Sequence, residues 1–154
     1  MKMLALDLGT RTGWAHSGPG CPITSGVAEF RTDRWQGGGI RFLRFRAWLD
    51  ELHALTRGVD VLYYEQVRRH AGTDAAHIYG GFLATLTAWC ETKSIAYQGV
   101  PVGTIKRHIT GKGNADKSAV TAAVRAHGFV PADDNEADAI AILIWATETE
   151  GGVR

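Results

Sequence analysis

Residues 133–145 read DDNEADAIAILIW. Four acids fall within six positions, and the chain then turns fully apolar. An apolar run of this length must be buried, and it draws the acids ahead of it toward the interior. Part of the acidity has an ordinary explanation. The first turn of a helix carries unpaired N–H groups and a partial positive charge, so Asp133 or Asp134 serves as N-cap, with Asn135 and Glu136 following. Asp138 lies more than a turn inside the helix, among Ala137, Ala139 and Ile140. Helical residues four apart sit about 40° from each other on one face. Asp134 and Asp138 therefore project together, and Glu136 points elsewhere. Two carboxylates on one face repel unless a cation lies between them, which directs attention to the other acids of the chain.

With 154 residues the chain suits one domain with a proper core, here expected over 1–150, with 151–154 frayed. No apolar run approaches the roughly 20 residues of a membrane span. The opening MKMLALDLGT carries no signal-peptide cleavage pattern, because Asp7 interrupts the apolar stretch. Cys21 and Cys90 are far apart and lack CxxC spacing, which points to neither a zinc site nor a disulfide framework. A cytoplasmic protein with reduced thiols and no membrane partner is expected. The net charge is only +1, but the charge is not evenly spread. IKRHITGKGNADK holds Lys106, Arg107, His108, Lys112 and Lys117 against one acid, and EQVRRH adds Arg68 and Arg69. A local patch of this kind binds phosphates whatever the global balance.

KMLALDL reads as a buried strand ended by Gly9 and Thr10. GWAHS and SGVAEF are further short strands, separated by the turn-rich GPGCPIT. IRFLRFRAWLDELHALT has Phe42, Phe45, Leu49, Leu52 and Leu55 at helical spacing, and Gly58 stops it. VDVLYYEQV is a strand with Glu65 near its C-terminal end, and AAHIYGGFLATLTAWCETK is a long apolar helix. SIAYQGV is a fifth strand, with Pro101 at a following helix start. DKSAVTAAVRAHG is a helix capped by Asp116 and ended by Gly128. The order β-β-β-α-β-α-β-α-α predicts an α/β fold. Three antiparallel strands and then parallel strands form one mixed five-stranded sheet, with strand one in the middle and helices on both faces.

In that sheet Asp7 and Glu65 end neighbouring parallel strands, at the edge where open α/β sheets place ligands. The closing helix brings Asp134 and Asp138 to the same place. A like-charged pair at about 4 Å costs on the order of 4 kcal/mol at an effective dielectric of 20. Such a group calls for a divalent metal, and all-oxygen donors suit Mg²⁺ or Mn²⁺ rather than zinc. Each acid alone has a plainer role as turn former or solvated residue. The combination and its topology carry the signal.

LALDLGTRTGWA, LYYEQV, NADKSAV and EADAIAI resemble, in order and spacing, the motifs of RuvC-type Holliday junction resolvases, which belong to the RNase H-like (retroviral integrase) superfamily. The resemblance spans nearly the whole chain. The short length and the DDNEADA variant look more like phage-encoded members than the housekeeping bacterial enzyme. The resemblance implies a metal-dependent endodeoxyribonuclease that resolves four-way junctions by paired nicks, using two Mg²⁺ ions for which Mn²⁺ substitutes. It makes Asp7 and Glu65 the first two metal-binding acids and Asp138 the last. It sets Lys106 and Lys117 near lysines used on scissile-strand phosphates. The family commonly has a further acid three residues before the last one, where this chain has Asn135. Asp134, one residue off but on the face of Asp138, is assigned as the fourth ligand, with Asn135 open as a neutral oxygen donor. An aromatic residue three positions after the glutamate stacks on bases in well-known bacterial members, and Arg68 stands there. With Arg69, Arg107 and Lys112, these basic residues are the expected DNA contacts.

The resemblance also implies a homodimer, which matches the two-fold symmetry of a junction. The expected interface is the long apolar helix, with Gly80, Gly81, Ala84 and Ala88 allowing close approach and Ile78, Phe82 and Leu86 supplying buried area. Three other readings remain open. DLGTRTG also resembles the phosphate turn of actin-like ATPases, although the chain supplies one lobe rather than two. A non-catalytic junction-binding protein would keep the basic patch, and a broader flap or fork nuclease would share the site. Trp14, Trp48, Trp89 and Trp145 read as core residues. Trp35, beside a glycine run, reads as a candidate DNA contact.

Overall fold

Met3–Asp7 forms β1, whose first four residues are buried, so the strand is covered on both faces. Alternate side chains go to opposite sides of the sheet. Met3 and Ala5 join one hydrophobic cluster, Leu4 and Leu6 the other. The computed structural model describes residues 1–151, and 152–154 of the expected frayed terminus lie outside the described residues.

β2 (Arg11–Gly18) runs antiparallel to β1, and β3 (Cys21–Glu29) antiparallel to β2. The turn between them is shorter than expected. Gly18 pairs with Cys21, leaving Pro19 and Gly20 as a two-residue hairpin, with Gly20 at φ +69. Pro22 is tolerated inside β3 because β3 is an edge strand. α1 (Gly39–Leu55) follows, then β4 (Val61–Gln66), α2 (Thr73–Lys93) and β5 (Ala96–Pro101). β4 is parallel to β1 and β5 parallel to β4, giving the sheet order β3-β2-β1-β4-β5 with β1 central.

Three helices follow β5, where the element order read from the sequence counted two, although Pro101 already marked a helix start. The additional one is α3 (Val102–Thr110), entered from Pro101 and closed by Gly111 at φ +84. At nine residues it is too short for its period to stand out, and only Ile105 and Ile109 are buried. α4 (Lys117–Ala126) begins at Asp116, whose side chain accepts the Ala119 N–H at 2.8 Å. α5 (Asp134–Thr149) begins at Asp133, which accepts the Glu136 N–H at 2.9 Å. Asp133, rather than Asp134, is therefore the N-cap. α1 and α2 cover one face of the sheet around Phe45, Leu49, Phe82 and Leu86. α3, α4 and α5 cover the other, around Ile105, Val124, Ile140 and Leu143.

α5 lies directly on β1 and β2 because the residues between them are small. Ala5 and Ala15 face each other across the two strands, and Ala137 and Ala141 are fully buried above the sheet. Gly13 marks the tightest approach. A Cβ there would stand 1.9 Å from the Asn135 carbonyl oxygen. This contact brings the first turn of α5 down onto the sheet beside the end of β1.

The expectation for α2 needs correcting at three residues. Phe82 and Leu86 are fully buried in the chain's own core. A Cβ on Gly81 would meet the Phe42 ring at 2.3 Å, so Gly81 gives room to α1 rather than to a partner helix. Gly80, Ala84 and Ala88 are exposed on the side of the helix away from Phe82 and Leu86.

Candidate active site

The register of β1 and β4 sets the first two acids side by side. Leu6 is paired with Tyr64, so the next residues, Asp7 and Glu65, are lateral neighbours at the C-terminal ends of both strands. Their carboxyl groups hydrogen-bond to each other. Burial raises the proton affinity of Asp7 well above the usual range, and the neighbouring charges of Glu65 and Asp138 add to it. Burial also raises Glu65, against the pull of Lys106 and Lys117. The proton affinity of each carboxyl is thus set by its neighbour as well as by burial. Tyr79 fixes the backbone beneath them. Its hydroxyl donates to the Glu65 carbonyl at 2.8 Å and accepts the Val67 N–H at 3.2 Å.

The third acid comes from α5. Asp138 is partly buried within a stretch where Glu136, Ala137 and every residue from Ala139 to Ala146 are buried. Burial, Glu65 and Asp134 together push its carboxyl up to about 7. Asp134, one turn earlier, forms an ion pair with Lys117, Nζ to Oδ2 at 2.9 Å. Lys117 is the first residue of α4 and remains mostly exposed; the pair raises its own pKa. Glu136 points away, as the helix geometry requires. It accepts from Ser25 Oγ and from the Ala132 N–H, each at 2.7 Å, tying α5 to β3. Arg11 reaches both Asp133 and Glu29, joining β2, β3 and the start of α5.

These elements enclose a cleft of about 690 Å³ lined by Asp7, Glu65, Asp138, Asn135, Lys106 and Lys117, with Arg69 at its side. Asp134 is held by Lys117 and does not line the cleft, whereas Asn135 does. Arg68, Arg107 and Lys112 are exposed outside it. The sequence reading overlooked Tyr79 and Ser25 as supports. Glu136 stands third after the cap Asp133, the capping-box spacing, but its carboxylate takes the Ala132 N–H rather than that of Asp133.

Among the described residues, no three His, Cys, Asp or Glu side chains already close around a point that could hold a metal. The donor set nonetheless fits a hard divalent cation. Its carboxyls offer only oxygen donors, and burial and crowding raise the proton affinities of Asp7 and Asp138, a penalty on their charged forms that a cation would relieve.

The structure is an α/β protein with an RNase H-like fold and acids at the ends of its two central parallel strands. Thermus thermophilus RuvC in complex with Holliday junction substrate superposes with a TM-score of 0.75 at 20% identity, over 92% of this chain and 90% of that one. A second Thermus thermophilus RuvC structure gives 0.74 at 21% identity, over 98% and 97%. The yeast mitochondrial Holliday junction resolvase Ydc2 gives 0.61 at 12% identity, over 91% and 75%. At these identities the likeness is one of fold. No protein-family model matches the chain, and no curated protein matches it in sequence.

Proposed function

We propose that the chain is a divalent-metal-dependent endodeoxyribonuclease that resolves four-way DNA junctions by paired nicks. The observation that carries this reading is the convergence of Asp7, Glu65 and Asp138 in one cleft rimmed by Lys106, Lys117 and Arg69. A phosphodiester brings negative charge, which the cationic rim attracts and the acidic floor repels unless it is neutralised. Asp7, Glu65 and Asp138 would hold Mg²⁺, as two ions, or Mn²⁺ in its place, with Asp134 as fourth ligand and Asn135 the competing oxygen donor. When bound, the ions supply Lewis acidity toward the phosphoryl oxygens and make water nucleophilic at neutral pH. The chain's own work is positional. Burial on the sheet edge fixes Asp7 and Glu65, α5 presents Asp138, and Lys117 and Lys106 offer ammonium groups to the phosphate.

The reading is tested with Asp7→Asn. Cleavage of a four-way junction in Mg²⁺ should be abolished while binding stays within a few-fold. A variant that cuts at the wild-type rate would overturn the assignment. A wild-type protein that binds junctions and never cuts them would instead be a non-catalytic binder. Equal rates on flaps, forks and four-way junctions would favour a broader branched-DNA nuclease.

A junction has two-fold symmetry, and one site per chain cannot nick opposing strands together. The assembly proposed is a homodimer through the exposed side of α2, where Gly80, Ala84 and Ala88 leave room for a partner helix. Sedimentation as a monomer, both free and on a junction, would exclude it.

A further inference from the structure

The loop between β3 and α1 carries a second feature suited to DNA. Trp35 is 83% exposed, far more than any other tryptophan of the chain. The Arg34 guanidinium lies over its ring, 4.7 Å from the centroid. Residues 31–46 hold five arginines, Arg31, Arg34, Arg41, Arg44 and Arg46, against the single acid Asp33. Arg34 has no carboxylate within ion-pair distance among the described residues.

The loop is built rather than loose. Asp33 Oδ1 accepts the Trp35 N–H at 2.8 Å, and Gln36 Oε1 accepts the Asp33 N–H at 3.1 Å. Arg44 clamps it from α1, donating to the Arg31 carbonyl at 3.2 Å and to Gln36 Oε1 at 3.3 Å. These bonds use the backbone and Asp33, Gln36 and Arg44. None uses the indole, so the fold gains little from its exposed surface. The loop also starts at the acidic end of the sheet. The Phe30 N–H donates to the Thr10 carbonyl at 2.7 Å, in the turn that directly follows β1 and Asp7.

We infer that the Trp35 indole forms a stacking platform for an unpaired or splayed nucleobase of a DNA strand leaving the acidic cleft, with Arg34 beside it on a flanking phosphate. The inference rests on the nuclease reading above. It supplies an aromatic surface on the side of the sheet opposite α3 and α4, in a chain that has Arg68 where a stacking aromatic was expected. A flat indole face beside planar guanidinium groups matches the alternating base and phosphate of a single strand. A fully paired duplex offers no such base face.

The test compares the wild type with Trp35→Ala, Trp35→Phe and Arg34→Ala. Each is titrated in EDTA against a four-way junction, a linear duplex of equal length and oligo(dT). Trp35→Ala should weaken junction and oligo(dT) binding roughly five- to hundredfold. It should leave duplex binding within about twofold, and Trp35→Phe should restore most of the loss. Arg34→Ala should lower the salt slope by about one unit. Oligo(dT) should quench wild-type tryptophan fluorescence and quench Trp35→Phe far less. Unchanged junction and oligo(dT) affinity in Trp35→Ala, or an equal loss on duplex, would overturn the platform. Absence of junction cutting by the wild type would overturn the nuclease reading instead, and the oligo(dT) arm would still decide the platform.

Discussion

Asp138→Asn offers a direct measure of how much strain the acid cluster places on the fold. In the metal-free protein the Asp138 carboxyl is pushed from its ordinary 3.8 up to about 7. The folded state therefore holds this proton more tightly than the unfolded chain does. Its contribution to stability is complete below the unfolded value. It is lost progressively as pH rises from about 4 to about 7, and it is flat above that. A rise from 3.8 to about 7 corresponds to about 4 kcal/mol at most. Asp138 is only partly buried, so solvent screening reduces the expected effect to about 2 kcal/mol. Asparagine has nearly the same shape and no charge to lose. Urea unfolding of both proteins in EDTA, from pH 4 to pH 8.5, gives a difference curve in which titrating groups outside the acid cluster cancel, and relief of Asp7 adds in the same direction. The variant should match the wild type near pH 4 and exceed it by about 2 kcal/mol above pH 7. Mg²⁺ at pH 8 should then stabilise the wild type more than the variant, since only the wild type has the full charge to neutralise. Parallel stability curves across the whole range would show that Asp138 is not strained and would refute the reasoning.

Gly13→Ala should destabilise the protein by roughly 1–3 kcal/mol, because the new Cβ strikes the Asn135 carbonyl; a urea midpoint equal to wild type would count against this close approach. Asp134→Asn should reduce junction cleavage more than Asn135→Ala, through loss of charge beside Asp138 and Lys117, and initial rates in Mg²⁺ would give the ranking. The opposite order would make Asn135, which lines the cleft, the fourth ligand. Lys106→Ala and Lys117→Ala should each lower the salt slope of junction binding by about one unit, and Lys117→Ala should also slow cleavage in single-turnover assays.

Much of the fold was legible because its signals are local. The continuous apolar run of β1, the cap at Asp116, the cap narrowed to Asp133 or Asp134, and the left-handed Gly128 at φ +94 each act over a few residues. α3 was legible only at its start, Pro101, since nine residues with two buried isoleucines give too little period to set its extent apart from a basic loop. Gly81 shows a different limit. A small residue on a helix announces close approach without saying to what, and here it is Phe42 of the same chain. Gly13 is similar, since its need comes from Asn135, far along the chain.

The acids show why spacing alone leaves a site unfinished. Facing rules pair Asp134 with Asp138 but do not measure depth. Asp134 lies at the rim, where Lys117 takes it at 2.9 Å, while Asp138 stands one turn deeper among buried residues. That depth answers why so much charge precedes so apolar a run. Ile140, Ile142 and Leu143 are at most 1% exposed, and burying side chains of this size contributes about 1.5–3 kcal/mol each. Three such residues exceed the strain of about 2 kcal/mol assigned to Asp138 by a wide margin. The apolar half of α5 thus holds the helix against the sheet despite the repulsion at its start. A helix anchored more weakly would relax, letting Asp138 move toward solvent and away from Asp7 and Glu65. Asp138 would then return toward its ordinary proton affinity, and the site would lose one of the charges that call for a cation.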